Sequence, residues 1–205
     1  MTLGRVEISG GALFVWALLY YMDKDGVAAW VMLGCACHEL GHCLAARALG
    51  GKISRLRLTF AGAELRLSPA RALSHGRMLL VALAGPMVNL LLALLSDLLA
   101  RYGAGERLYL FAGVNLGLAA FNLLPAGWLD GGMLLREVLG WLGREELGER
   151  LTSLCSATAA ALLLALGGVL LWSSGGRNFT LLLAGLWMAW WARRSQGSGS
   201  LAKIR

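Results

Sequence analysis

Six apolar runs dominate the chain, at residues 11–22, 27–49, 79–99, 108–124, 154–172 and 179–191. The hydrocarbon core of a bilayer is about 30 Å thick, so a crossing helix needs about 20 such residues. Lipid offers no hydrogen bonds, and an α-helix satisfies its own backbone. The runs therefore predict an all-α polytopic membrane protein with about six transmembrane helices. The first and last runs are short, so they must tilt, recruit flanking residues or sit in thinned bilayer. Composition agrees. Of 205 residues, 58% are hydrophobic and 15% charged, where soluble domains carry about 25% charged.

The net charge is +7, and its distribution orients the chain. With a cytoplasmic N-terminus, fifteen of the 19 Lys and Arg fall in inside segments and four outside. That bias places both termini in the cytoplasm. It also accounts for the charge without nucleic acid, since no basic patch is interleaved with aromatics. Arg5 precedes an apolar stretch, as in a signal peptide, but no Ala-x-Ala site follows, so a retained first span is expected. Cys35, Cys37 and Cys43 share one apolar helix and cannot pair without distorting it. With Cys155 they read as small core residues.

Two segments are not simple spans. "RLRLTFAGAELRL" (55–67) alternates Leu56, Leu58 and Phe60 against Arg55, Arg57 and Thr59, then resumes with Leu65 and Leu67. This predicts a membrane-associated β-hairpin over 52–68, after the second span. Residues 129–151 mix apolar and charged positions and read as an amphipathic connector. Residues 195–205 are Gly/Ser-rich and read as a flexible cytoplasmic tail. That leaves 1–194 as a single transmembrane domain.

The second run contains "HELGH", His38 to His42. On a helix, positions i and i+4 share a face, so both imidazoles reach one ion. Glu39 lies about a hundred degrees round the helix, beside them. Two zinc ligands and a general base have this spacing. Ionisable groups are costly in lipid, and a functional site is the default reading for them there. A catalytic zinc takes three protein ligands. The downstream candidates for the third are Glu64 in the hairpin, His75 in a basic loop, and Asp130 in "NLLPAGWLDGG" (122–132). Pro125 ends the fourth span. The glycines that follow permit irregular backbone, which at membrane depth must be buried or line a wet cavity. Asp130 before Gly-Gly is also an ordinary turn composition.

HExxH in a transmembrane helix, followed by N-x-x-P-x-x-x-x-D-G at Asn122, Pro125, Asp130 and Gly131, resembles the site-2 proteases. These are intramembrane zinc metalloproteases. "AGPMVNL" (84–90) resembles their G-P-x-x-N element. The six-span layout and "LLPAGWLDGGMLLREVL" are most similar to the stage IV sporulation protein FB subgroup, without the C-terminal CBS domain many members carry. The resemblance implies one Zn2+ held by His38, His42 and Asp130, with Glu39 as catalytic base. It implies a substrate-binding or oxyanion role for Asn122. The implied substrate is a membrane-tethered protein, such as a pro-sigma factor, cut near the cytoplasmic face of a bacterial cell membrane. An oligomer or regulatory membrane partner is compatible with this, and nucleic acid is not expected. Asn89 and Asn115 read as helix-packing residues. A metal transporter would need the ligands but not Glu39, and a non-catalytic scaffold would need neither.

Overall fold

The computed structural model describes residues 2–3, 6–8, 21, 23, 26–59, 62–67, 73–103, 105–127, 129–175 and parts of 182–190. The first apolar run lies almost wholly outside the described residues, the sixth partly, and the tail 195–205 entirely. The chain divides into two compact units, Met1–Leu123 and Leu124–Arg205.

The first unit holds helices α1 (Val27–Ala48), α2 (His75–Arg101) and α3 (Arg107–Asn122). It also holds strands β1 (Thr2–Leu3), β2 (Val6–Ile8), β3 (Ile53–Thr59) and β4 (Gly62–Leu67). Asp23 starts α1: its carboxylate oxygens accept from the Val27 and Ala28 N–H groups at 3.0 and 2.6 Å. An anion there answers the positive end of the helix dipole. Both α1 and α2 are long and apolar enough to cross a membrane. With 16 residues, α3 spans about 24 Å, less than the hydrocarbon core.

Small residues let these helices approach closely. A Cβ on Gly34 would lie 2.9 Å from Leu118 Cδ1 and 3.2 Å from Asn115 Oδ1. One on Gly41 would lie 2.9 Å from both the Ala84 carbonyl oxygen and Val88. Lipid supplies no hydrophobic drive between helices, so contact of this kind and interhelical hydrogen bonds hold them. The core of the unit is accordingly Ala46, Ala82 and Ala119, with Asn89 and Asn115 fully buried among them.

The strands form one sheet in the order β1-β2-β3-β4. β3 and β4 run antiparallel, with Thr59 opposite Gly62. β2 runs parallel to β3, with Val6 opposite Leu56. The sequence pattern gave no hint of β1 and β2, because strands of two and three residues are too short to show an alternation. Their presence adds a sheet to what composition alone presents as an all-helical chain.

The second unit contains α4 (Asp130–Trp141) and α5 (Glu145–Ser173), which pack on each other. Gly143, at φ 71°, ends α4. The Arg144 N–H returns to the Leu139 carbonyl and the Gly143 N–H to the Gly140 carbonyl, a Schellman closure. Residues 129–151, expected as an amphipathic connector, hold α4, its turn and the start of α5. α5 begins at Glu145, ahead of the apolar run at 154. Glu145 and Glu146 stabilise a helix start. Charges stop the lipid-buried part of a helix without stopping the helix, so an apolar run can begin after its helix does. α5 is long and apolar enough to cross a membrane, the third such helix among the described residues.

Candidate metal centre

His38 and His42 lie one turn apart on α1, and both are buried. Their Nε2 atoms stand 3.1 Å apart. Two nitrogens at about 2.0–2.1 Å from a tetrahedral zinc are about 3.3 Å apart, so the pair fits one ion without rearrangement. The other ring nitrogens face partners on α2. His42 Nδ1 is 2.7 Å from the Val81 carbonyl oxygen. A carbonyl only accepts, so Nδ1 carries the proton and Nε2 keeps its lone pair for a metal. His38 Nδ1 is 2.5 Å from Asn89 Oδ1. Partners of this kind fix ring orientation in metal sites.

Gly85 of α2 makes room for the pair. A Cβ built there would overlap His42 Nε2 and Cε1 and stand 2.8 Å from His38 Cε1. Next to it, Pro86 lacks the N–H that would bond the Ala82 carbonyl, so the helix ladder is open at this turn. Gly85→Ala is expected to drive both imidazoles off their shared point. Zinc content of the purified variant should fall well below that of the wild type while the protein still elutes as a single species. Undiminished zinc in Gly85→Ala would show that the rings do not work where this structure places them.

Asp130 is the first residue of α4 and half-buried, preceded by Leu129 in extended conformation. The described residues from Leu124 to Gly127 lie outside any helix but are held. The Ala126 N–H donates to the Leu124 carbonyl and the Leu129 N–H to the Ala126 carbonyl. The Gly127 N–H donates to Ser156 Oγ at 2.8 Å, and Arg136 donates to the Gly127 carbonyl at 3.0 Å. Gly132 lies against the Ala126 carbonyl, where any Cβ would collide. Burial lowers the pKa of Arg136, and Glu137 and Glu149 act against that shift. Asp130 stands in the first turn of α4, at the positive end of the helix dipole.

His38, His42 and Asp130 form a group that could hold a metal ion, one ligand atom from each lying within 4.8 Å of the others. Of the other residues singled out in the sequence, Glu39 follows His38 on α1 and is half-buried. Asn122 ends α3, and its amide donates to the Leu118 carbonyl at 2.9 Å. Glu64 lies in β4 opposite Arg57, and His75 opens α2 rather than a loop. Asn89 has more than a packing role, since it touches His38. Its signal in the sequence was an amide in the middle of an apolar run, four residues before which stands Gly85, whose role in clearing the rings' space shows only in three dimensions.

Residues 95–166 match peptidase family M50, a stretch that contains Asn122, Pro125 and Asp130 but not the histidine pair. Over 181 residues the chain is 29% identical to the zinc metalloprotease candidate Rip3 of Mycobacterium tuberculosis, covering 84% of this chain and 44% of that protein. Over 139 residues it is 27% identical to a zinc metalloprotease of Methanocaldococcus jannaschii, covering 65% of this chain and 38% of that one. The chain thus spans less than half the length of either relative. The solved site-2 protease from M. jannaschii superposes with a TM-score of 0.68 at 22% identity, over 95% of this chain and 92% of the other. At that identity the likeness is one of fold.

Proposed function

We propose that this chain is a zinc endopeptidase of the M50, site-2 type, cutting a membrane-tethered protein within or at the edge of the bilayer. The observation that carries the reading is the histidine pair. Both rings present Nε2 to one point at a spacing that suits a single zinc, with Glu39 beside them on the same helix. Asp130 would supply the carboxylate of a three-ligand site, the number a catalytic zinc takes from the protein.

When bound, zinc lowers the pKa of a coordinated water to about 7. Glu39 then acts as general base. Its carboxylate accepts the proton of the attacking water and later delivers it to the leaving amide nitrogen. Asn122 is the amide assigned to the substrate or its oxyanion. Its donation to the Leu118 carbonyl would have to be exchanged for that contact. A substrate helix shields its own peptide bonds, so it must unwind near the site. β4 is an edge strand of the sheet, and an unwound segment can add there as another strand. β2 and β3 are paired although α1 separates them in sequence, which requires both on one side of the membrane. The charge bias assigns that side to the cytoplasm. A tethered regulator such as a pro-sigma factor, cleaved near that face, is the substrate class proposed.

Reconstitution in liposomes with a panel of single-span reporter proteins tests this. Cleavage of at least one reporter, abolished by a zinc chelator and restored by added Zn2+, is the expected outcome. Cleavage that persists after metal removal would defeat the zinc-peptidase reading.

A further inference from the structure

Asn115 on α3 is fully buried, and it touches neither histidine in any hydrogen bond the structure shows. Its amide nitrogen donates to the Phe111 carbonyl at 2.9 Å. Its Oδ1 accepts from Asn89 Nδ2 at 2.7 Å. Asn89 Nδ2 also donates to the Gly34 carbonyl at 3.3 Å, and Asn89 Oδ1 faces His38 Nδ1. The direction of this chain of bonds is forced at both amides. A flipped Asn115 would set its oxygen against the Phe111 carbonyl. A flipped Asn89 would set its oxygen against two acceptors, Asn115 Oδ1 and the Gly34 carbonyl. Backbone carbonyls cannot donate, so each amide has one orientation. Asn89 therefore presents an acceptor to His38, and His38 holds its proton on Nδ1 and its lone pair on Nε2.

We infer that Asn115 is a positioning residue of the metal centre, which through Asn89 fixes the tautomer and ring orientation that make His38 Nε2 a ligand. The inference rests on the zinc-site reading above. Its physical basis is that an amide has two faces of opposite polarity, and only the surroundings decide which one a histidine meets. With Asn115 replaced by an apolar side chain, Asn89 keeps the Gly34 carbonyl alone to oppose a flip. A flipped Asn89 would offer N–H to Nδ1, move the imidazole proton to Nε2, and remove the ligand. Losses from disrupting such partners run to about 10–100-fold in metal affinity.

The test is a double-mutant cycle on the full chain in detergent, with Zn2+ affinity read by competition against a chromophoric chelator. Asn115→Leu, and in parallel Asn115→Ala, should weaken Zn2+ binding about 10–100-fold. In an Asn89→Asp background the same substitutions should weaken affinity by less than about threefold, because they remove only an acceptor set against an acceptor. Aspartate offers His38 an oxygen on either face, so its flip no longer matters, and its second oxygen already lacks the donation to Asn115 Oδ1 that Asn89 makes, so no stabilising bond remains there for the substitutions to remove. Equal losses in both backgrounds would mean that Asn115 merely packs, and no loss in either background would equally overturn the inference. If the wild type itself binds no Zn2+, or if His38→Ala binds it as well as the wild type does, the zinc-site reading fails first and the inference falls with it.

Discussion

Glu39→Gln is expected to keep its zinc and lose cleavage. Glutamine matches glutamate in shape and keeps a carbonyl oxygen, so α1 should be undisturbed and the two histidines should stay one turn apart with Nε2 atoms facing. What disappears is a group that can take a proton from water and return it to a leaving amine. General acid–base catalysis is worth about 10^2–10^4-fold, so the reporter cleavage rate should fall by that much. Metal analysis of the same preparation should still give one zinc per chain. The two measurements belong together. Loss of cleavage with loss of zinc would say that Glu39 helps hold the metal, and cleavage within tenfold of wild type would end its assignment as base. A transporter built on the same ligands would have no reason to need Glu39.

The second large effect is Asp130→Ala. The substitution removes one of three candidate ligands and leaves two, fewer than catalytic zinc sites use. Loss of a ligand should exceed the loss caused by disturbing a ligand's partner, so affinity for Zn2+ should drop by more than about 100-fold. Cleavage at ordinary zinc levels should vanish with it. His38→Ala provides the comparison, and the two variants should be alike. Asp130 opens a helix after an extended Leu129, and alanine is an acceptable residue there, so α4 should survive. That makes folded but zinc-poor protein the predicted preparation. Full zinc occupancy in Asp130→Ala would mean that the third ligand is another residue.

Three of the six apolar runs coincide, among the described residues, with helices long and apolar enough to cross a membrane, and the ends of those helices differ from the ends of the runs. α1 fills its apolar run almost residue for residue, whereas α2 starts four residues before its run and α5 nine before. Helices continue through charged turns, and a search for apolar residues sees only where charge begins. α3 ends three residues before Pro125, as the bias of a residue preceding proline against helical backbone leads one to expect. The strands β1 and β2 left no readable pattern, and their place in the sheet is set by partners some fifty residues away.

Local sequence patterns set out the candidate chemistry of the site. The i,i+4 spacing of His38 and His42, the glutamate between them and the aspartate after a proline break are local patterns, and the 3.6-residue period turns the first of them into geometry directly. They did not determine which nitrogen of each ring would face the metal. That was decided by the Val81 carbonyl, by Asn89 with Asn115 behind it, and by the space left at Gly85. These groups lie on helices other than the one that carries the histidines. In the sequence, Asn89 and Asn115 are two amides in apolar runs with nothing to point one at the other. The pairing arises when small residues bring α1, α2 and α3 close enough for buried amides to find partners. Without water nearby, a buried donor has only such a partner to satisfy it. The tertiary structure, through that requirement, sets the protonation pattern that a local spacing leaves open.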